Sequence, residues 1–202
     1  MRTVGPVASP RSAGRGGGEV RADATRNREA ILRAAEDLLA AHGAEHVSLD
    51  RVAAAAGVGK GTVFRRFGSR TGLFQELLAE RAEALARAVG TAGSPLGPGA
   101  PPRARLLAFL DELAGLAERN LALFAAHERA CAEDKYADPT YVRWHGHVAA
   151  LVGEARPGLD ASFAAHALLG LFDADLVGHV IAEGGVTRLR SSVRGFAEAL
   201  LG

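Results

Sequence analysis

The segment HVSLDRVAAAAGVGKGTVFRRFGS, residues 46–69, contains two short helical patterns with a glycine between them. Ser48 is a favourable N-cap for the first pattern, because its hydroxyl can accept a hydrogen bond from a free backbone amide. Gly57 supplies the turn, and the small side chain of Ala53 lets the two helices approach closely. Two short helices joined by a tight glycine turn are typical of a helix-turn-helix, which this segment therefore predicts.

The glycines around Lys60 do not form a nucleotide-binding loop. Such a loop requires the pattern G-x-x-x-x-G-K-[ST] directly after a β-strand. Ala54 stands where the first glycine is required, and Gly61 stands where the hydroxyl is required. The preceding residues are rich in alanine and poor in β-branched side chains, which is not typical of a strand. The sequence therefore gives no support to a nucleotide hydrolase.

Positive charge is concentrated around the predicted helix-turn-helix. The whole chain is nearly neutral, with 24 Lys and Arg residues against 23 Asp and Glu residues. Residues 51–75 contain no acidic residue, and their basic residues are Arg51, Lys60, Arg65, Arg66 and Arg70. A charge run is usually just a solvated face. Its coincidence with a helix-turn-helix favours a surface that faces DNA phosphates.

The second short helix is the predicted DNA-reading element, because a helix-turn-helix places the start of its second helix against base edges. Lys60 and Thr62 are the predicted base readers. Glycine at position 61 removes a side chain where the backbone must approach DNA. Ser48 and Arg70 are predicted to contact flanking phosphates. The full predicted set is Ser48, Lys60, Gly61, Thr62, Phe64, Arg65, Arg66 and Arg70.

The apolar spacing along the rest of the chain is helical, and no segment has the pattern of a strand, so the predicted fold class is all-α. Residues 1–22 are predicted to be a disordered basic arm, which either lies along DNA or is a solvated tail without a role. Helical spacing begins near Thr25. A helix-turn-helix domain over residues 23–70 precedes a helical domain over residues 71–202, which contains a Gly/Pro loop at residues 90–102.

The run REAILRAAEDLLAAHGAEHVSLDRVAAAAGVGKGTVFRRFGSRTGLFQELL, residues 28–78, resembles the N-terminal domain of the TetR family of transcriptional regulators. The resemblance implies three DNA-binding helices, a fourth linking helix, here residues 69–89, and a variable helical C-terminal domain that binds a small ligand and forms a homodimer. Family members often have a tyrosine, with its hydroxyl on a phosphate, where this chain has Phe64, and commonly have lysine where it has Arg70. Because Phe64 lacks this hydroxyl, Arg65 is favoured over Phe64 for the polar contact with DNA.

A stripe of small residues and an apolar ridge are the predicted dimer surface. Helices are predicted at residues 161–182 and 187–201, and glycine or alanine recurs every four residues along the first. Small residues let helices approach closely, and this stripe would serve packing within one subunit equally well. The resemblance favours a dimer, because the family pairs its last two helices into a four-helix bundle. The predicted interface residues are Gly170, Ala174, Gly178, Val193 and Phe196.

Aromatic and histidine residues are concentrated in the C-terminal half, as expected of an apolar small-molecule site with a few polar groups. The predicted lining residues are Phe109, Leu113, Phe124, His127, Trp144, His147 and Phe172. No cofactor and no metal ion is predicted. A metal sensor that uses His127, His147 or His166 with Asp173 stays open as an alternative.

The sequence predicts a ligand-responsive regulator that is not an enzyme, because no catalytic set of residues is apparent. It is expected to be a repressor that leaves a palindromic DNA operator when a small-molecule effector binds and tilts the linking helix. A lone Cys131 and the absence of a signal peptide favour a soluble cytoplasmic protein without membrane contact. A small-molecule or metal-binding protein with a vestigial helix-turn-helix is the alternative.

Overall fold

A computed structural model describes the backbone of residues 16–202 and the side chains of residues 23–202. No strand occurs within residues 16–202, which confirms the all-α prediction for the part of the chain described. Short 3₁₀ turns at Ala44–His46 and Lys135–Ala137 interrupt the helices. The helices are α1 (Gly16–His42), α2 (Leu49–Ala56), α3 (Lys60–Phe67), α4 (Arg70–Gly90), α5 (Pro102–Arg119), α6 (Leu121–Ala130), α7 (Pro139–Ala155), α8 (Ala161–Gly170) and α9 (Ala174–Leu201).

Helices α2 and α3 form the predicted helix-turn-helix. The Ser48 hydroxyl accepts a hydrogen bond from the amide of Arg51, so the predicted N-cap of α2 is present. Gly57 ends α2 with φ 66° and ψ 27°, a left-handed conformation that glycine adopts without steric cost. The Val58 amide then donates to the Ala53 carbonyl oxygen at 3.0 Å, and Ala53 is buried. These local contacts make the sharp turn between the two helices.

The N-terminal core is built from one face of each of the first four helices. Its buried side chains include Ile31, Leu32, Ala35, Val47, Val52, Val63, Phe67, Leu73, Phe74 and Leu77. Burying each large apolar side chain stabilises the fold by ~1.5–3 kcal/mol relative to leaving it in water. Val63 and Phe67, four residues apart, lie on the same side of α3. They therefore determine which face of α3 points outward.

Helix α4 belongs to both halves of the molecule. Its first turns bury Leu73, Phe74 and Leu77 in the N-terminal core, and Leu78 and Ala82 lie in the C-terminal core. The domain boundary predicted at residue 70 therefore stands at the start of a helix that continues through both cores.

The C-terminal core surrounds α5, which packs against α7 and α9. Phe109, Leu110 and Leu113 on α5 are almost fully buried there. The predicted Gly/Pro break is present as the connection between α4 and α5, and Leu96 from this connection is buried in the same core. Among the described helices none alone is long and apolar enough to cross a membrane; α8 and α9 together meet that test but are bent by 54° at their junction.

The first helix begins earlier than the sequence pattern indicates. α1 starts at Gly16, whereas the apolar spacing begins near Thr25. Adding residues to an existing helix forms one hydrogen bond per residue without a new nucleation cost, so a helix can extend beyond its apolar stripe. Residues 16–22, predicted within the arm, therefore belong to α1, and residues 1–15 of the arm lie outside the described residues.

The helix predicted over residues 161–182 is wrong, because the chain breaks between α8 and α9. The Asp173 carboxylate accepts hydrogen bonds from the amides of Asp175 and Leu176, so Asp173 caps a new helix. Gly170 thus lies on α8, while Ala174 and Gly178 lie on α9, and the stripe does not follow one helix face. The predicted break after residue 182 is present as a kink at Gly185, which has φ 70° and ψ −178°.

Candidate DNA-binding surface and C-terminal cavity

The outward face of α3 carries most of the predicted DNA contacts. Thr62 is half-buried, and Lys60, Gly61, Phe64, Arg65 and Arg66 are exposed. Phe64 is 60 % exposed, so packing in the core is not its role. Gly61 is surrounded by open space, since a Cβ built there would meet no other atom of the described residues within 4 Å. The arrangement is a narrow convex surface with two arginines, a lysine and an aromatic ring.

Lys60 has an acidic neighbour that the charge pattern did not indicate. Its Nζ lies 2.7 Å from Oδ2 of Asp50 on α2, and both side chains are exposed. Exposed ion pairs of this kind contribute ~0–1 kcal/mol, so the lysine can exchange this partner for another anion at little cost. Asp50 lies just before the acid-free run of residues 51–75, and the turn at Gly57 brings it close to Lys60.

The two residues predicted to contact flanking phosphates have structural partners. Ser48 caps α2 with its hydroxyl. The Arg70 guanidinium donates to the carbonyl oxygen of Ala44 and lies 5.2 Å from the centre of the Phe74 ring. Arg70 is still exposed and carries its charge at the start of α4, beside the end of α3. Its contacts hold the guanidinium in one place instead of leaving it on a free side chain.

A cavity of about 170 Å³ lies in the C-terminal half, between α6, α7 and α8. Five of the seven predicted lining residues surround it, namely Leu113, Phe124, His127, Trp144 and Phe172. The other two, Phe109 and His147, do not line it. Their rings pack edge to face at 4.9 Å between centroids, because His147 points from α7 toward α5 on the side away from the cavity.

Polar groups occupy one end of the cavity. The Glu128 carboxylate accepts a hydrogen bond from the amide of Ala174 at the start of α9. Burial raises the pKa of Glu128, although that hydrogen bond opposes the shift. The Tyr141 hydroxyl and Nδ1 of His166 are 2.6 Å apart and form a second polar pair. Aromatic walls with a polar end suit a small molecule that has an apolar body and a polar group.

Asp138 joins the cavity to the linking helix. Its Oδ1 accepts from the amides of Thr140 and Tyr141 and so caps α7, while its Oδ2 accepts from the Gln75 side chain on α4 at 2.9 Å. His127 Nε2 lies 3.1 Å from the same Oδ2. Burial alone would raise the pKa of Asp138, but the hydrogen bonds from these partners bring it below its ordinary value. The carboxylate is therefore charged within a buried network.

Helix α6 contacts both halves of the molecule. Its Leu123 and Ala126 are buried in the N-terminal core, while Phe124 and His127 line the cavity. At its end, the carbonyl oxygen of Ala130 accepts a hydrogen bond from the Thr71 hydroxyl on α4 at 3.1 Å. Side chains of one helix thus belong both to the wall of the cavity and to the N-terminal core.

The predicted dimer residues differ in their exposure. Ala174 and Val193 are buried in the core of their own chain, so they cannot contact a partner through their side chains. Gly178 is half-buried, and a Cβ there would lie 3.5 Å from the Leu121 side chain. Gly170 is exposed and Phe196 is 46 % exposed. The two buried residues are corrections, because their side chains pack in the C-terminal core of the same subunit.

Sequence reasoning missed several cavity residues, namely Glu128, Cys131, Asp138, Tyr141 and His166. One of them had a usable signal: Asp138 precedes Pro139, and an Asp before a proline at the first helical position is a typical helix start. The others are scattered over three helices at polar positions without a recognisable motif. Cys131 is buried.

Comparison with known proteins agrees with this geometry. Residues 31–77 match the family model described as bacterial regulatory proteins, tetR family. None of the curated protein sequences matches the chain.

Solved structures share the whole fold. A TetR-like transcriptional regulator from Rhodococcus sp. RHA1 is 23% identical, with a TM-score of 0.59 over 85% of this chain and 93% of that one. A transcriptional regulator from the same organism is 22% identical, with a TM-score of 0.61 over 86% and 95%. A TetR-family regulator from Thermus thermophilus is 19% identical, with a TM-score of 0.55 over 85% and 96%. Residues 31–77 are thus similar to the DNA-binding segment of bacterial regulatory proteins of the tetR family, and the solved structures extend the likeness in fold to the C-terminal half.

Proposed function

We propose that this protein is a ligand-responsive transcriptional repressor, which binds a palindromic operator as a homodimer and leaves it when a small molecule enters the C-terminal cavity. The observation that carries the proposal is the double contact of α6, whose side chains belong to both the N-terminal core and the cavity wall. Two sites connected by one packed element are what coupling between ligand and DNA requires.

DNA recognition follows from the exposed face of α3. An α-helix fits the major groove of B-DNA, where Lys60 would donate to guanine acceptors and Thr62 would contact a base edge or a thymine methyl group. The open space at Gly61 lets the backbone come close to the DNA. Arg65 and Arg66 lie a turn later and supply charge for the phosphates. The Arg70 guanidinium, held by Ala44, would hold a flanking phosphate.

Ligand response follows from the position of α6. A molecule between the aromatic side chains of α6 and α7 would press on Phe124 and His127. Since Leu123 and Ala126 of the same helix are packed in the N-terminal core, α6 cannot move without displacing that core. The hydrogen bond from Thr71 to Ala130 passes the displacement to α4. In a dimer this tilt changes the distance between the two α3 helices, and an operator tolerates only one half-site spacing.

The dimer surface would consist of the exposed sides of α8 and α9. Phe163, Leu176 and Phe196 are large apolar side chains that remain exposed there in the isolated chain. The exposed Gly170 between them allows close approach of a second subunit. Two-fold symmetry would place two copies of α3 against the two halves of a palindrome.

The test is capture of genomic DNA fragments on the purified full-length protein at two salt concentrations, followed by sequencing. The proposal expects one palindromic motif that is retained at the higher salt concentration, because base contacts add to the salt-sensitive phosphate contacts. Small molecules are then screened for release of that motif. Diffuse binding that disappears with salt would contradict the proposal. That result would favour the alternative, a small-molecule or metal-binding protein with a vestigial helix-turn-helix.

A further inference from the structure

A cluster of three potential metal ligands lies in the wall of the cavity. His127 is on α6, Cys131 directly follows that helix, and Asp138 precedes α7; all three residues are buried. One ligand atom from each lies within 4.8 Å of the other two. Such a grouping of imidazole, thiol and carboxylate can serve packing, a hydrogen-bond network or the binding of an ion. The distances between the ligand atoms discriminate among these roles.

The three distances match the edges of a zinc coordination tetrahedron. His127 Nε2 is 3.1 Å from Asp138 Oδ2, Cys131 Sγ is 3.6 Å from His127 Nε2, and Cys131 Sγ is 4.0 Å from Asp138 Oδ2. With ordinary Zn–N, Zn–S and Zn–O bond lengths, a tetrahedral site requires about 3.3, 3.6 and 3.5 Å for the same pairs. The largest difference is about half an ångström, which a side-chain adjustment can close. A thiol that merely filled space would have no reason to face both other groups.

We propose that His127, Cys131 and Asp138 form a binding site for one zinc-like divalent cation, with a fourth coordination position open to the cavity that all three line. Thiolate and imidazole select zinc over magnesium and calcium, which prefer oxygen ligands. A thiolate, a carboxylate and a divalent cation sum to zero charge, so the occupied site would be neutral in its buried surroundings. On binding, the Cys131 S–H bond breaks and its proton passes to solvent.

The groups around the ligands fit this assignment. The Gln75 side chain donates to Asp138 Oδ2 and so orients the carboxylate, as outer partners of metal ligands commonly do. The Asp138 Oδ1 atom accepts two backbone amides, which holds the side chain in place. In the metal-bound form the lone pair of His127 Nε2 faces the ion and its ring proton is on Nδ1. The hydrogen bond between His127 and Asp138 is then replaced by two bonds to the cation.

The set differs from the alternative raised by the sequence. His147 packs against Phe109 away from the cavity, His166 is paired with the Tyr141 hydroxyl, and Asp173 caps α9. Of that alternative only His127 takes part. The other two ligands, Cys131 and Asp138, lie in the turn between α6 and α7, which brings them close to His127.

The experiment is titration of the metal-free, reduced full-length protein with Co²⁺, followed by optical absorption. The site predicts one Co²⁺ per chain, a thiolate-to-cobalt charge-transfer band and the intense visible absorption of tetrahedral cobalt. Zn²⁺ should displace Co²⁺, while Mg²⁺ in excess should not. Cys131→Ser should remove the charge-transfer band, and Gln75→Leu should lower the affinity about 10–100-fold.

The matched control is His147→Gln, which alters a half-buried histidine on α7 that lies outside the cavity and should leave cobalt binding unchanged. Circular dichroism of each variant establishes that it is folded, and the Cys131→Ser change is nearly isosteric. Absence of a stoichiometric cobalt complex in the wild-type protein would overturn the site, as would a charge-transfer band that survives Cys131→Ser. The titration contains no DNA, so its outcome is independent of the operator experiment.

Discussion

Lys60 lies at the start of α3 and forms an ion pair with Asp50, which bears on the proposed contact of this helix with DNA. In the unbound protein the lysine is 2.7 Å from the carboxylate, which lowers the positive potential at the very position predicted to read a base. Contact with DNA must exchange Asp50 for a base or a phosphate. The exchange costs little at an exposed site, but Asp50 remains a negative charge close to the DNA.

Replacing Asp50 by Asn tests this view of Lys60. We expect Asp50→Asn to strengthen DNA binding up to about fivefold at low salt, which corresponds to ~1 kcal/mol, because it removes a competing charge. Fluorescence anisotropy with a specific and a random duplex measures the change. Glu36→Gln is the control, since Glu36 on α1 forms an ion pair with Arg81 on α4 and has no ion pair with α3 among the described residues. Equal effects of the two substitutions would contradict the local role of Asp50.

Gly61 allows the stability of α3 to be separated from its contact with DNA. No atom of the described residues lies within 4 Å of a Cβ at this position, and alanine is a better helix former than glycine. Gly61→Ala should therefore raise the free energy of unfolding by about 0.5–1 kcal/mol and yet weaken operator binding, because the added methyl group meets the DNA.

Gly146→Ala is the control for that substitution. Gly146 is a glycine on α7 that also has no neighbour among the described residues within 4 Å of a Cβ. It should give a similar gain in thermal stability with unchanged operator binding. Tighter operator binding by Gly61→Ala would mean that α3 does not approach DNA at this residue.

At the scale of helices, the junction of α3 and α4 depends on one close approach. A Cβ at Gly72, in the first turn of α4, would lie 2.1 Å from the Phe67 carbonyl oxygen at the end of α3. Backbone atoms cannot yield as a flexible side chain can. The junction therefore holds α3 at a defined angle to the helix that runs into the C-terminal core.

Gly72→Ala should separate the two helices and destabilise the N-terminal domain by ~1–3 kcal/mol, as overpacking does. Urea unfolding followed by circular dichroism measures the loss, and DNA binding should weaken in parallel. The matched control is Gly90→Ala at the other end of α4, where a Cβ would meet nothing in the described part of the chain. Unaltered stability of Gly72→Ala would show that the junction is loose.

The packing of α5 against α7 is expected to make the C-terminal domain less stable in acid, through His147. Burial lowers the pKa of His147, and the charge of Arg105 lowers it further, so the folded state resists protonation more than the unfolded chain does. Below pH 6.5, the ordinary pKa of histidine, the unfolded chain therefore binds more protons than the folded protein does. The free energy of unfolding falls as the pH drops through that value.

His147→Leu should make the stability of the protein less dependent on pH between about 6.5 and 5, because the group that the folded state keeps neutral is gone. Thermal unfolding at a series of pH values compares the variant with the wild-type protein. If stability depends on pH in the same way in the variant and the wild-type protein, groups other than His147 cause the acid sensitivity.

At the scale of the whole molecule, α4 and α6 connect the two halves, because each of them packs in both the N-terminal and the C-terminal core. α4 is continuous through both cores, and α6 inserts two side chains into the N-terminal core while two others line the cavity. The exposed apolar residues of α8 and α9 lie on the remaining side, which is free for a second subunit. The surfaces proposed for ligand, DNA and partner are thus separate and are connected through α4 and α6.

Phe196→Glu tests the partner surface. A carboxylate in an apolar interface has no compensating charge, so the variant should be monomeric in sedimentation experiments and should lose most of its affinity for a palindromic operator. Phe64→Glu is the control for the oligomeric state, because Phe64 is exposed on α3 and should leave the dimer intact. If Phe196→Glu forms dimers at the same protein concentration as the wild-type protein, the interface must lie on another surface. Gly178→Leu is less suitable, because a side chain at Gly178 also meets Leu121 of its own chain.

The sequence alone was sufficient for the fold class and the helix-turn-helix. The N-cap at Ser48, the left-handed turn at Gly57 and the apolar spacing of Val63 and Phe67 act over a few residues, so their effect depends little on the rest of the chain. The family resemblance rests on the same local signals. The break at Asp173 was also local, but its capping signal lies inside an apolar stretch and competes with a helical pattern.

Tertiary structure alone decided which distant residues meet. Gln75 and Asp138 are 63 positions apart, and Lys60 meets Asp50 only because the chain turns between them. The packing of whole helices likewise decides the burial of Ala174 and Val193, the contact of His147 with Phe109 on α5, and the cluster around Cys131. Helical periodicity determines the face on which a side chain lies, but the neighbour of that face is determined by the packing of other helices, and no local pattern encodes it.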